Sequence, residues 1–115
     1  NITELTIQPG VQVIFLGHYY LEVDGFLTAV GDSEEMIVFT IADTTGFSNP
    51  DIPDGGWAGI RFPGNRNGRP IVGSEIGYCH IEYGKALGDY DDKNGGAIFL
   101  NGDTSVSIHD SEIMF

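Results

Sequence analysis

The chain has 115 residues, the length of one modest domain, and carries 5 basic against 17 acidic side chains for a formal net charge of −12. Such a surface repels phosphate backbones and anionic lipid, so neither nucleic-acid nor membrane-surface binding is expected. No apolar run reaches the roughly 18 residues of a membrane span, and the lone cysteine, Cys79, has no partner for an internal disulfide.

From the N-terminus, short strand-prone runs alternate with glycine-marked turns. Leu5-Thr6-Ile7 meets Pro9-Gly10, Val11 to Phe15 meets Gly17, and Tyr19 to Val23 meets Asp24-Gly25. Phe26 to Val30 meets Gly31-Asp32, and Met36 to Thr40 leads into a polar insertion from Ile41 to Gly56. Strand Trp57 to Phe62 follows, then a basic loop from Pro63 to Pro70. Ser74 to Glu82 carries the apolar positions Ile76, Cys79 and Ile81, and a second insertion from Lys85 to Asn94 precedes Gly95 to Leu100. The closing segment, Ser107 to Phe115, is again apolar and strand-like. These runs are rich in valine, isoleucine, phenylalanine and tyrosine, and they are too short for helices. Because the chain opens and closes on strand-like sequence, it is expected to be a piece of a longer polypeptide.

The runs echo one another. Leu5-Thr6-Ile7 returns as Leu27-Thr28-Ala29, a shift of 22 residues, and Val13-Ile14-Phe15 as Ile37-Val38-Phe39, a shift of 24. Ile76, Cys79 and Ile81 return as Ile108, Ser111 and Ile113, each shifted by 32. Unequal shifts with the extra residues in turns are the mark of a stacked repeat, in which strand n pairs in parallel with strand n+3. The expected fold is therefore all-β, a right-handed parallel β-helix (solenoid) of about four rungs with inserted loops, forming a single segment over residues 1–115. Its inward ladder should place Leu5 over Leu27, Ile14 or Phe15 over Val38 or Phe39, and Ile81 over Ile113.

The pattern Leu-Thr-Ile-x-Pro-Gly-Val, then Leu-x-Val-x-Gly-x-Leu-x-Ala, then Gly-Trp-x-Gly-Ile-x-Phe resembles bacterial right-handed β-helix repeat proteins. Ser74-x-Ile76-x-x-Cys79-x-Ile81-Glu82 is similar to the repeat of the pectate-lyase-like superfamily. The resemblance spans nearly the whole chain and implies a secreted or surface-anchored bacterial protein. It does not select an activity, because that superfamily holds lyases, hydrolases, adhesins and scaffolds.

The chemistry-bearing residues are sparse. The strand acids Glu22, Glu75, Glu82, Asp110 and Glu112 lack an evident carboxylate partner, and Glu82 and Glu112 are 30 residues apart, off the 32-residue ladder. Arg61 alternates outward and could face a groove. Asp89, Asp91 and Asp92 form the candidate calcium loop, although the spacing fails the EF-hand pattern, with Lys93 and Asn94 at its fifth and sixth positions. Asp51 and Asp54 are weaker candidates. His18, His80 and His109 do not make a metal set, and the latter two should point to solvent. Cys79 reads as a small buried residue stacked over Ser111. Trp57, Tyr78 and Tyr83, with Tyr90, cluster near the insertions and are candidate platforms for stacking on sugar rings, Trp57 being equally explained as a packed corner residue.

The function expected from these features is a non-catalytic repeat segment of a secreted or cell-surface bacterial protein, displaying loops to a polysaccharide or cell-surface glycan. No cofactor is required, and calcium is the one candidate. Two alternatives stand beside it: a fragment of a polysaccharide lyase or hydrolase, and a self-assembling subunit that stacks end to end into homo-oligomers.

Overall fold

Among the described residues every strand pairing is parallel, and no two strands that are consecutive in the chain pair with each other. The computed structural model describes residues 3–49, 51–62, 73–86, 96–100 and 106–114. Among these the strands are β1 (Thr3–Ile7), β2 (Gln12–Phe15), β3 (Leu21–Glu22), β4 (Gly25–Val30), β5 (Ile37–Ile41) and β6 (Ile60–Phe62). They continue as β7 (Ser74–Gly77), β8 (Cys79–Glu82), β9 (Ile98–Leu100), β10 (Val106–His109) and β11 (Glu112–Met114), with no helix among the described residues. Three sheets result, ordered β1-β4-β7-β10, β2-β5-β8-β11 and β3-β6-β9. The chain thus visits the three sheets in the same sequence on each pass, and each strand lies beside the one three places later.

The alternation of side chains explains which residues meet inside. β5 reads buried, half-buried, buried along Ile37-Val38-Phe39-Thr40-Ile41, the period of a strand with one face on a core. Leu27 and Ala29 of β4, Ile60 and Phe62 of β6, Ile76 of β7 and Cys79 and Ile81 of β8 join Ile37, Phe39, Ile41, Val23 and Trp57 in one shared cluster. The first and last strands add only partly buried members, among them Ile7, Val13, Phe15, Ile98 and Val106.

Most of the expected ladder is present. Leu5 pairs with Leu27, Ile76 with Ile108 and Ile81 with Ile113. Cys79 is fully buried, and its N–H donates to Ser111 Oγ at 3.1 Å. One rung of the expected ladder is wrong. Phe39 sits beside Val13 and Val38 beside Gln12, a shift of 26, so neither Ile14 nor Phe15 lies over Val38 or Phe39. The cause is the turn ahead of β5. Four residues separate the paired positions Ile7 and Gln12, but eight separate Ala29 and Val38. Asp32 folds the surplus into a tight turn, its carboxylate accepting from the Glu34 and Glu35 N–H groups at 2.9 and 2.7 Å. A two-residue slip preserves which side chains face in, so the hydrophobic pattern cannot distinguish 24 from 26.

Side chains complete the ladder where the backbone does not. Ser74 is buried, and its Oγ accepts the Leu27 N–H at 3.0 Å. Tyr78, between β7 and β8, and Asp110, between β10 and β11, each occupy the left-handed region, with φ of 49° and 51°. Tyr78 alone, and Asp110 together with Ser111, make the short corners that turn the chain from one sheet to the next. Asp tolerates this conformation readily, whereas Tyr does so only because its neighbours fix it.

Candidate functional site

The site begins with the insertion after β5. Asp43 opens it by accepting the Thr45 N–H at 2.9 Å, and Phe47 and Asn49 N–H groups close successive turns onto Thr44 and Gly46 carbonyls at 3.0 Å each. At Gly55, φ is +92° and a Cβ would lie 2.2 Å from the Phe47 nitrogen, so only glycine allows the two limbs of the loop to touch. The loop is therefore a folded structure held against the sheets.

Lys85 holds it there. The side chain is buried, and its ammonium donates to the Gly46 and Asp54 carbonyls at 3.0 and 2.7 Å. These acceptors sit at opposite ends of the loop, so one cation ties both down. The Lys85 backbone is fixed in turn, its N–H donating to Trp57 O at 2.7 Å and its carbonyl accepting from His18 Nε2 at 2.8 Å. A carbonyl can only accept, so Nε2 carries the proton there. Phe47 adds an apolar contact, meeting Tyr83 edge-on with 5.0 Å between ring centroids.

Between this loop and the turn after β2 lies an open pocket of about 340 Å³. Leu16, His18, Asp43, Thr45, Asp54 and the Gly55–Gly56 backbone are among its lining. The volume is at the small end of ligand pockets, and the lining mixes polar groups with the apolar side chains of Leu16, Ile41 and Pro53. Hydrogen bonds from the Thr45 hydroxyl and then its backbone N–H hold the Asp43 carboxyl below the usual aspartate range. Asp43 thus contributes a fixed acceptor.

The sequence-level candidates fare unevenly. Trp57 is fully buried, its ring stacked on Phe15 at 4.4 Å and facing Phe39 at 6.0 Å, with Nε1 donating to Glu82 O at 2.7 Å. With both faces covered it offers no platform to a sugar, and the packed-corner reading holds. Tyr83 is half-buried against Phe47, beneath the loop, and Tyr78 is half-buried with its ring edge-on to His109 at 6.1 Å. The two tyrosines and Trp57 do not form one surface. Asp89, Asp91, Asp92 and Tyr90 lie outside the described residues. The Arg61 guanidinium lies 4.8 Å from the centre of the Tyr20 ring. Burial pushes the Cys79 thiol up to about 11, and its Sγ donates to Ala29 and Gly77 carbonyls, so it is a packing residue and no nucleophile.

Sequence reading misses Lys85, which it places at the start of the second insertion, and His18, Asp43 and Thr45 of the pocket. Nothing local marks them, because the loop they brace is 29 residues from Lys85 at its nearest end. No protein-family model, curated protein or solved structure matches this chain.

Proposed function

We propose that the chain is a right-handed parallel β-helix segment of a secreted or cell-surface bacterial protein, a non-catalytic scaffold that presents the 42–56 loop and its pocket to a glycan. The visiting order of the three sheets supports the coil, and crossovers between parallel strands of one sheet are overwhelmingly right-handed. The observation that carries the binding role is the loop bound at both ends by the buried Lys85, which keeps a small polar pocket preformed. His18, Asp43, Thr45, Asp54 and the Gly55–Gly56 backbone offer the alternating donors and acceptors that sugar hydroxyls require. Two carboxylates in the lining and the net charge of −12 disfavour an anionic ligand, so the reading is a neutral sugar unit.

Asp43 and Asp54 sharing one pocket favour hydrolysis as the second reading. In that reading Asp43, whose carboxyl is held low by Thr45, would be the base or nucleophile and Asp54 the acid. A panel of neutral oligosaccharides separates the two. Binding with Kd of about 1 mM or tighter, a free energy of about −4 kcal/mol, is expected in the wild type and should vanish in Thr45→Trp, which fills the pocket. No binding across the panel, or full binding by Thr45→Trp, contradicts the proposal. Release of reducing ends would transfer the site to the hydrolase reading.

A further inference from the structure

Two histidines sit where the last strands meet the rest of the sheets, and each is held between two carboxylates. On the β8–β11 ladder, His80 Nε2 lies 2.6 Å from Glu82 Oε1 and Nδ1 lies 3.2 Å from Glu112 Oε2. On the β7–β10 ladder the roles are exchanged: His109, on the outer strand, has Nε2 2.6 Å from Glu75 Oε2 and Nδ1 2.8 Å from Asp110 Oδ2. Each clamp thus crosses from an inner strand to an outer one.

The chemistry of these contacts depends on protons. An ionised carboxylate only accepts, a neutral imidazole has one N–H, and only imidazolium donates from both nitrogens. Each clamp is complete when its histidine is charged. On deprotonation, one carboxylate in each clamp faces a nitrogen lone pair. The backbone is shaped for this at Gly77, the register partner of His109, where a Cβ would lie 2.6 Å from the imidazole Cε1. The ring occupies the notch that the absent side chain leaves.

Apolar packing beneath these strands is thin. Ile108 and Ile113 are 42% and 50% exposed, while their partners Ile76 and Ile81 are fully buried. Polar clamps therefore carry a larger share of the docking here than anywhere else among the described strands.

We propose that β10 and β11 form a proton-operated latch. The segment 106–114 is docked on β7 and β8 through contacts that pair His109 with Glu75 and Asp110 and His80 with Glu82 and Glu112, and it loosens when His109 loses its proton. Those carboxylates are the charged groups on the two rings among the described residues. β5, on the far side of β8, adds the uncharged Val38 beside His80 and Thr40, whose hydroxyl donates to Glu82 Oε2 at 2.8 Å. Tyr78 packs on the His109 ring.

The pH dependence follows from the direction of one shift. Hydrogen bonds to Asp110 and then Glu75 raise His109 above the ordinary histidine value, and the Glu75 bond is the one that crosses to β7. Its contribution is full below about pH 6.5 and is lost as pH rises through the raised folded value. Burial pushes Glu82 up, but Thr40 and His80 leave it low; both lie on inner strands, so this carboxyl steadies β5 and β8 and does not act on 106–114.

Amide exchange followed by NMR, corrected for intrinsic rates, tests the latch. Between about pH 5.5 and pH 8.5, protection of 106–114 should fall by a factor of several, while β4 and β5 keep theirs. The double variant H80Q/H109Q should show no such pH dependence. Unchanged wild-type protection across this range, or the same loss in the double variant, overturns the proposal. Should the double variant not fold, titration of His109 by NMR decides: its pKa should fall in E75Q, which removes the cross-strand partner, and an unmoved value overturns the clamp.

Discussion

Two stretches built from the same residue types are held in different ways. In β4 and β5, Leu27, Ala29, Ile37 and Phe39 are all fully buried. In β10 and β11, Ile108 and Ile113, the partners of the buried Ile76 and Ile81, stand 42% and 50% exposed. Among the described residues the inner strands have a partner on each side, whereas β10 and β11 pair on one side only. In a parallel stack, burial of an inward residue requires neighbours both above and below, so identity alone does not decide it. The interior is held by apolar packing and the β10–β11 edge by charged clamps, while the loop beside the core is held by a buried lysine.

The widest gap between the two regions should appear on truncating their central apolar residues. Phe39→Ala removes a fully buried ring that also faces Trp57 and should cost about 3–5 kcal/mol in chemical denaturation. Lys85→Met strips the donor from the Gly46 and Asp54 carbonyls and should cost about 1–3 kcal/mol. Limited proteolysis of that variant should cut first within 42–56. Gly77→Ala drives a methyl group into the His109 ring and should cost about 1–3 kcal/mol, with the loss of amide protection confined to β7 and β10–β11. Smallest is Ile113→Ala, where half the side chain is already in water; less than about 1.5 kcal/mol is expected, half or less of a typical core truncation. If Ile113→Ala matched Phe39→Ala, the distinction between packed interior and clamped edge would fail.

The strand order was legible because apolar echoes survive insertion. Leu5 with Leu27 and Ile81 with Ile113 are true neighbours, and the parallel pairing follows from them. The register of β2 on β5 was not, since period-two alternation is blind to a slip of two residues. The shift of 32 that aligns Ile76 with Ile108 also sets His80 on Glu112 and Gly77 on His109. Those pairs escape a reading that follows only apolar positions. Trp57, after Gly55-Gly56, reads equally as a packed corner or a stacking platform; Phe15 and Phe39, on two strands, decide for the former. Lys85 looks like any loop lysine until the loop it anchors is placed over it. Pairing partners are thus readable from periodicity, whereas contacts made by inserted loops depend on three-dimensional placement that periodicity does not encode.

Everything above depends on strand n lying beside strand n+3, and cross-strand proton contacts in a NOESY spectrum test that directly. The account predicts Hα to N–H contacts of the parallel type linking Thr28–Val30 with Glu75–Gly77 and Ile37–Phe39 with Cys79–Ile81. Antiparallel Hα–Hα contacts between Leu5–Ile7 and Gln12–Phe15, or no contact between β4 and β7, would contradict it.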